Sequence, residues 1–353
     1  MRSQMSITTH QRAATEVEKS NGLRMVWMDH VRGLAALCVL LEHLLAHYIY
    51  SYQKFKVYSF HLGFGAVIAF LLISGYVISG ALQNEDIRSF WISRFFRIYP
   101  LYWITLGLTV LASLMGLGTR SSTVDILLNA TLVQSFAGVK DIVGVAWTLG
   151  IEMAFYLSAS LTVALRFHRF TTLLATIAAC SVFVSAVTGG NFMLVLCYAT
   201  PWMGMLLYNI KERGSSHRSW IVYFGLPTFL VICAFYGHVS DEWFTGKSFA
   251  ALVSYVVVPA LAFKYRPEQG SHVSKVASWL GRISYSVYLL HPFAIAAAAK
   301  QVTSWSNLNS IIVSTALTLV STLTVSSLAY KYIELPAIRV GKRFRLRNVP
   351  RAA

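Results

Sequence analysis

The chain has 353 residues, of which 56% are apolar and 12% charged, and its mean hydropathy is +0.57; that balance excludes an ordinary soluble domain. A net charge of +16 would suit nucleic acid. With the N-terminus placed in the cytoplasm, however, 23 of the 30 Lys and Arg fall in inner segments and 6 in outer ones, with Arg32 at the inner edge of the first span. This positive-inside distribution accounts for the charge without nucleic acid.

Ten apolar runs are long enough to cross about 30 Å of hydrocarbon as helices. In chain order they are Val31–Tyr50, Phe60–Leu82, Ile98–Leu117, Val145–Leu165, Thr171–Thr188, Phe192–Ile210, Trp220–Tyr236, Ser248–Phe263, Ile283–Ala299 and Leu308–Tyr330. The expected fold is therefore all-α, a polytopic bundle of about ten transmembrane helices, N-in and C-in. Residues 1–27 form a cytoplasmic tail, 28–334 one membrane domain, and 335–353 a basic cytoplasmic tail suited to anionic headgroups. The first 24 residues are polar and the first apolar run is as long as a true span, so an uncleaved anchor is expected rather than a leader. The outer segment SSTVDILLNATLVQSF is amphipathic but short, which predicts an interfacial or re-entrant helix. Cys38, Cys180, Cys197 and Cys233 all lie in apolar runs and read as small buried hydrophobes.

Ionisable groups inside such runs are costly unless paired or functional, and they concentrate at a few places. In MDHVRGLAALCVLLEHLLAH the eleven steps from Arg32 to His43 advance about 16 Å and turn only about 20° around a helix. Asp29, three residues before Arg32, shares that stripe and could pair with the guanidinium. A snorkelling arginine and a hydrogen-bonded structural histidine would give the same pattern. His47 lies one turn beyond His43, and with Glu42 and His61 it could approach a metal. The further ligands are not evident, and no metal is expected.

FLLISGYVISG carries small residues, including Ser74, that permit close helix packing or leave room for a slender ligand. SFWISRFFRIYPLYW sets Arg94 and Arg97 three apart on a helix expected to end near Pro100. Two such guanidinium forks suit a phosphate-bearing ligand, although positive-inside topology alone would also place them there. AWTLGIEMAFYL puts Trp147 at the start of a span and Glu152 about one and a half turns inside it, where a carboxylate must face a cavity or a cation and could orient a histidine. LGRISYSVYLLHPF places Tyr288 and His291 near the middle of the ninth run, as helix-joining polar groups or as part of a substrate path.

Taken together in order, MDHVRGLAALCVLLEH, FLLISGYVISG, SRFFRIYPLYW, WTLGIEMAFYL and LGRISYSVYLLHPF resemble the acyltransferase-3 family of bacterial integral-membrane O-acyltransferases, over Asp29 to Glu334. The resemblance implies transfer of an acyl group, commonly acetyl, from cytoplasmic acyl-CoA to a hydroxyl of a glycan or glycan-lipid, such as exopolysaccharide or lipopolysaccharide, at the bacterial inner membrane. It places the family's Arg-x10-His motif on Arg32 and His43, its Arg-x-x-Arg motif on Arg94 and Arg97, and its Trp-Ser/Thr-Leu-x-x-Glu pattern on Trp147, Thr148, Leu149 and Glu152. On this basis His43, Arg32, Glu152 and Asp29 are expected to be catalytic. Arg94, Arg97, Arg32 and Ser74 are expected at the acetyl-CoA site, and Trp147, Tyr288 and His291 at the acceptor. Glu42 stands where an aromatic or apolar residue is expected, about 100° from the His43 face, and should pair elsewhere. A proton-coupled transporter also uses intramembrane His, Glu and Arg and is the competing expectation; a purely structural scaffold would have no need of the stripe on the first span.

Overall fold

The computed structural model describes residues 26–47, 60–214, 217–236, 242–265, 270–299 and 308–346. Most of the N-terminal tail, the end of the first apolar run and residues 347–353 lie outside the described residues. The described chain is all-helical. The helices are α1 (residues 26–47), α2 (Leu62–Asn84), α3 (Ile87–Leu114), α4 (Thr123–Ala130), α5 (Trp147–Ala164), α6 (Thr171–Thr188), α7 (Phe192–Arg213), α8 (His217–Tyr236), α9 (Glu242–Lys264), α10 (His272–Ala299), α11 (Leu308–Ala329) and α12 (Leu335–Leu346). A π-helical turn, Tyr330–Glu334, joins α11 to α12.

Among the described residues six segments are long and apolar enough to cross a membrane: α2, α3, α6, α7, Gly246–Lys264 of α9, and Ile312–Arg345 through α11 and α12. They make this a multi-pass membrane protein. Helix α1 is as long, yet Asp29, Arg32, Glu42 and three histidines interrupt its apolar surface, the expected mark of a helix lining a site rather than facing lipid.

Burial separates centre from periphery. The apolar windows of α2 and α7 are 78% and 72% buried within the protein, those of α3, α6 and the α11–α12 segment 28%. The two central helices cross backbone to backbone. A Cβ on Gly75 would stand 1.8 Å from the Pro201 carbonyl oxygen, and one on Gly204 would stand 2.1 Å from that of Leu72. Glycine is what allows this approach, because lipid supplies no hydrophobic drive between helices and close packing must do the work. A second crossing joins α1 to α10, where a Cβ on Gly281 would lie 2.1 Å from the Asp29 carbonyl oxygen. Its consequence is to hold Arg32 beside the SYSVY segment.

Two local expectations change. The helix with Arg94 and Arg97 does not end at Pro100 but runs on to Leu114. Proline removes a single backbone hydrogen bond, and burial of Ile98, Leu101 and Tyr102 on its flanks keeps the axis continuous. The outer amphipathic segment is helical for only eight residues, Thr123–Ala130, behind a Ser122/Asp125 capping box. It stops because buried Asn129 turns the chain back on itself: its amide donates to the carbonyls of Asp125 (2.9 Å) and Lys140 (3.1 Å), and its oxygen accepts from the Ile142 N–H at 2.9 Å.

Candidate active site

The start of α3 is fixed by Asp86, whose side chain caps it by accepting from the Ser89 N–H at 2.9 Å. The Ser89 side chain and backbone together hold the Asp86 carboxyl below its ordinary value. Two turns on, Arg94 and Arg97 project from α3 into a cavity of about 140 Å³. Arg32 enters from α1, Ser74 from α2, Glu152 and Tyr156 from α5, and Tyr285 and Tyr288 from α10. Tyr285 ties α10 to α3 by donating to the Ile98 carbonyl at 2.7 Å.

The charges in this cavity do not balance by contact. Glu152 accepts from the Ser74 hydroxyl at 2.6 Å and from the Tyr156 hydroxyl. It faces hydroxyls and lies within electrostatic reach of Arg32, rather than orienting a histidine. Arg94 lies over the rings of Phe90 and Tyr156, 5.4 and 5.8 Å from their centroids, a cation–π setting, and its buried Nε has no hydrogen-bond partner among the described residues. Arg97 has one carboxylate nearby, Glu334, at 4.0 Å. Among the described residues no ion pair within 4 Å is formed by Arg32 or Arg94. Asp29, expected to pair with Arg32, feels Arg32, Arg97 and Arg282 only at longer range.

The histidines form a second centre. His43 donates from Nδ1 to the Val39 carbonyl at 2.8 Å, which leaves Nε2 with its lone pair. Its ring centroid is 4.9 Å from that of His291. His291 is fully buried, donates from Nδ1 to Val287 O at 3.1 Å, and its Nε2 has no partner among the described residues. Tyr288, on the cavity wall, lies 6.2 Å from His291 between ring centroids. Its hydroxyl donates to Val145 O at 2.9 Å and meets the Thr148 hydroxyl at 2.7 Å.

The structure thus gathers Arg32, Ser74, Arg94, Arg97, Glu152 and Tyr288 around one cavity and sets His43 against His291 beside it. Trp147 and Asp29 do not line it. Glu42 is engaged elsewhere than at the His43–His291 pair: it accepts from the Gly63 N–H at 2.5 Å and contacts His61 Nδ1 at 2.7 Å, so it fastens α1 to the start of α2.

Three participants were not singled out from sequence. Tyr156 could have been found from its i,i+4 spacing to Glu152. Tyr285 offers no such signal. Glu334, at 1% exposure and accepting from Ser286, is placed by the π turn, a feature frequently found at functional sites and not legible in the sequence.

The family profile described as an acyltransferase domain matches residues 25–331. A protein of Acidianus two-tailed virus named as an acetyltransferase is 25% identical over 279 residues, 74% of this chain and 80% of its own length. Nodulation protein 10 of Rhizobium leguminosarum bv. viciae is 27% identical over 315 residues, 78% of this chain and 83% of its own. Acyltransferase MdmB of Streptomyces mycarofaciens is 30% identical over 151 residues, 38% of each chain. No solved structure matches. A match across most of the chain, including every element around the arginine cavity, places this protein in the acyltransferase-3 family: it is a multi-pass membrane acyltransferase.

Proposed function

We propose that the protein is an O-acyltransferase that moves an acyl group, acetyl in the first instance, from cytoplasmic acyl-CoA to a hydroxyl of a glycan or glycan-lipid acceptor, within a ten-span, N-in and C-in bundle of the bacterial inner membrane. The observation that carries this is the arginine cavity. Three guanidinium groups share one small cavity, and among the described residues only one has a carboxylate within 4.0 Å and a buried Arg94 N–H has no acceptor. A buried donor and unbalanced positive charge favour an anion, and CoA is a polyanion with a long thin arm. The acetyltransferase name of one relative supports acetyl as the group transferred.

In this reading Arg94 and Arg97 hold the phosphates, and Arg32 lies along the path of the acyl-pantetheine arm toward His43. The acceptor hydroxyl oxygen attacks the thioester carbonyl carbon. Its proton passes to Nε2 of His43 as the new C–O bond forms, the C–S bond breaks, and the proton is then delivered to the departing thiolate. Ser74 and Tyr156 hold Glu152 so that its charge, together with that of Asp29, steadies Arg32.

The test uses purified protein in nanodiscs with radiolabelled acetyl-CoA. His43→Ala should lower kcat by about 10²–10⁴. Arg94→Ala/Arg97→Ala should raise KM for acetyl-CoA by about tenfold or more, as expected when charge-assisted hydrogen bonds are lost. Folded protein whose turnover is indifferent to all three changes would refute the mechanism and favour substrate transport.

A further inference from the structure

Helix α11 has 22 residues and is by itself about 33 Å long, enough to cross the hydrocarbon. In the proposed N-in, C-in bundle the chain beyond its π turn, helix α12, therefore reaches the inner surface. Its sequence, LPAIRVGKRFRL, carries four Lys and Arg and no Asp or Glu. At 100° per residue Arg339, Lys342 and Arg343 fall within about 100° of one another, and Gly341 points about 160° away from Arg339. All three cations are exposed, and among the described residues none of them forms an ion pair within 4 Å.

The opposite face of α12 is committed to α3. A Cβ on Gly341 would stand 2.9 Å from the Cβ of Phe96, the Phe344 ring stacks on that of Phe96 at 5.8 Å and 13°, and Arg345 pairs with Glu85 at 2.9 Å. Phe96 lies in the chain between Arg94 and Arg97, the two arginines that α3 sends into the cavity. From the π turn, Glu334 meets Arg97 at 4.0 Å. The seat of α12 thus fixes the arginine segment at two points, Phe96 and Arg97.

The exposed face of α12 is under electrostatic stress. Arg339 and Arg343 are four residues apart, Arg339 and Lys342 three, and like charges at those spacings destabilise a helix. The helix dipole favours Arg343 and Arg345 in the last turn but gives no support to Arg339, two turns from the end. An anionic surface relieves this stress, and each Lys or Arg brought to anionic headgroups strengthens membrane attachment roughly fivefold.

We infer that the Arg339–Lys342–Arg343 face docks on the phosphates of anionic phospholipids in the inner leaflet. Docking holds α12 against Phe96 and keeps Glu334 beside Arg97, so anionic lipid regulates binding of the acyl donor. The inference rests on the proposed use of Arg94 and Arg97 for the donor phosphates and adds the partner that sets their position. Phe96 is a positioning residue: it touches α12 and acts through its neighbours in the chain.

The experiment compares the native chain with Arg339→Gln/Lys342→Gln/Arg343→Gln and with Phe96→Ala. Nanodiscs are made of phosphatidylcholine alone or with about one third phosphatidylglycerol. Amide exchange over Leu335–Leu346 is expected to be about fivefold or more slower in the anionic discs for the native chain, the same in both discs for the triple variant, and to quicken again as added salt screens the contact. The KM for acetyl-CoA, taken as the ratio of triple variant to native within one disc composition, cancels repulsion of the donor by the anionic surface. That ratio should be about threefold or more in anionic discs and within about twofold of unity in neutral ones. Phe96→Ala should keep the lipid-dependent exchange while its KM rises in both discs. Native exchange indifferent to phosphatidylglycerol would overturn the docking, and a KM unchanged in Phe96→Ala would overturn the route. A ratio raised equally in both compositions would also overturn the inference, because the three cations would then meet the donor's own phosphates. Lipid-dependent exchange in protein that never consumes acetyl-CoA would sustain the lipid surface and sink the donor assignment.

Discussion

Replacing Gly75 by alanine tests the central crossing and the site together. The new Cβ would lie 1.8 Å from the Pro201 carbonyl oxygen, against 3.4 Å for ordinary contact, so α2 and α7 must part by about 1.6 Å. Overpacking of this kind costs about 1–3 kcal/mol, occasionally more. Ser74, the preceding residue, donates to Glu152 at 2.6 Å, and a displacement of that size carries it past the roughly 3.2 Å limit of a good hydrogen bond. Losing a hydrogen bond to a carboxylate adds about 1.5–3 kcal/mol. The expected outcome is a melting temperature lower by on the order of 5–10 °C in nanodiscs, with acetyl-CoA turnover reduced even at temperatures where the protein stays folded. Gly107→Ala is the control, because no atom lies within 4 Å of its Cβ position; relief of glycine's helix penalty should leave it unchanged or up to about 1 kcal/mol more stable. Equal melting temperatures for the two variants would refute the backbone crossing.

Glu334→Ala removes both the acceptor for Ser286 and the carboxylate 4.0 Å from Arg97; since Arg97 is a quarter exposed, about 1–3 kcal/mol should be lost, and Glu334→Gln should lose less, as read by thermal unfolding and by KM for acetyl-CoA. Tyr288→Phe leaves the Val145 carbonyl and Thr148 hydroxyl without this partner and should destabilise by about 1–3 kcal/mol, measured by the same melts. Glu42→Gln weakens the charged acceptor of the Gly63 N–H, so hydrogen exchange should quicken at the start of α2 before it does elsewhere. Asp86 has a folded-state pKa below its ordinary value of 3.8. Its cap therefore stabilises α3 fully above that value and loses the contribution as pH falls through the lowered one. Exchange at Ile87–Phe90 should rise in acid, and a pH-independent profile there would count against the cap.

Some of this was decided by sequence alone. Apolar runs of spanning length, charges sorted by segment and glycines within the runs determine a helical membrane protein, because hydrocarbon leaves backbone polar groups no partner except the helix itself. The motifs also single out Arg32, Ser74, Arg94, Arg97 and Glu152, since ionisable and small polar side chains stand out against an apolar background.

Only the tertiary structure could decide how these residues meet. Helical periodicity reports which face of one helix a residue shares; it carries no information on which other helix that face meets. Asp29 and Arg32 share a stripe yet, among the described residues, form no ion pair within 4 Å and feel each other only at longer range. His43 meets His291 across 248 positions of chain, and Glu42 finds His61 rather than a histidine of its own helix. Glu334 reaches Arg97 only through a π turn. Such partnerships are set by where backbones can approach most closely. That depends on pairs of small residues on different helices, so no single stretch of sequence contains it.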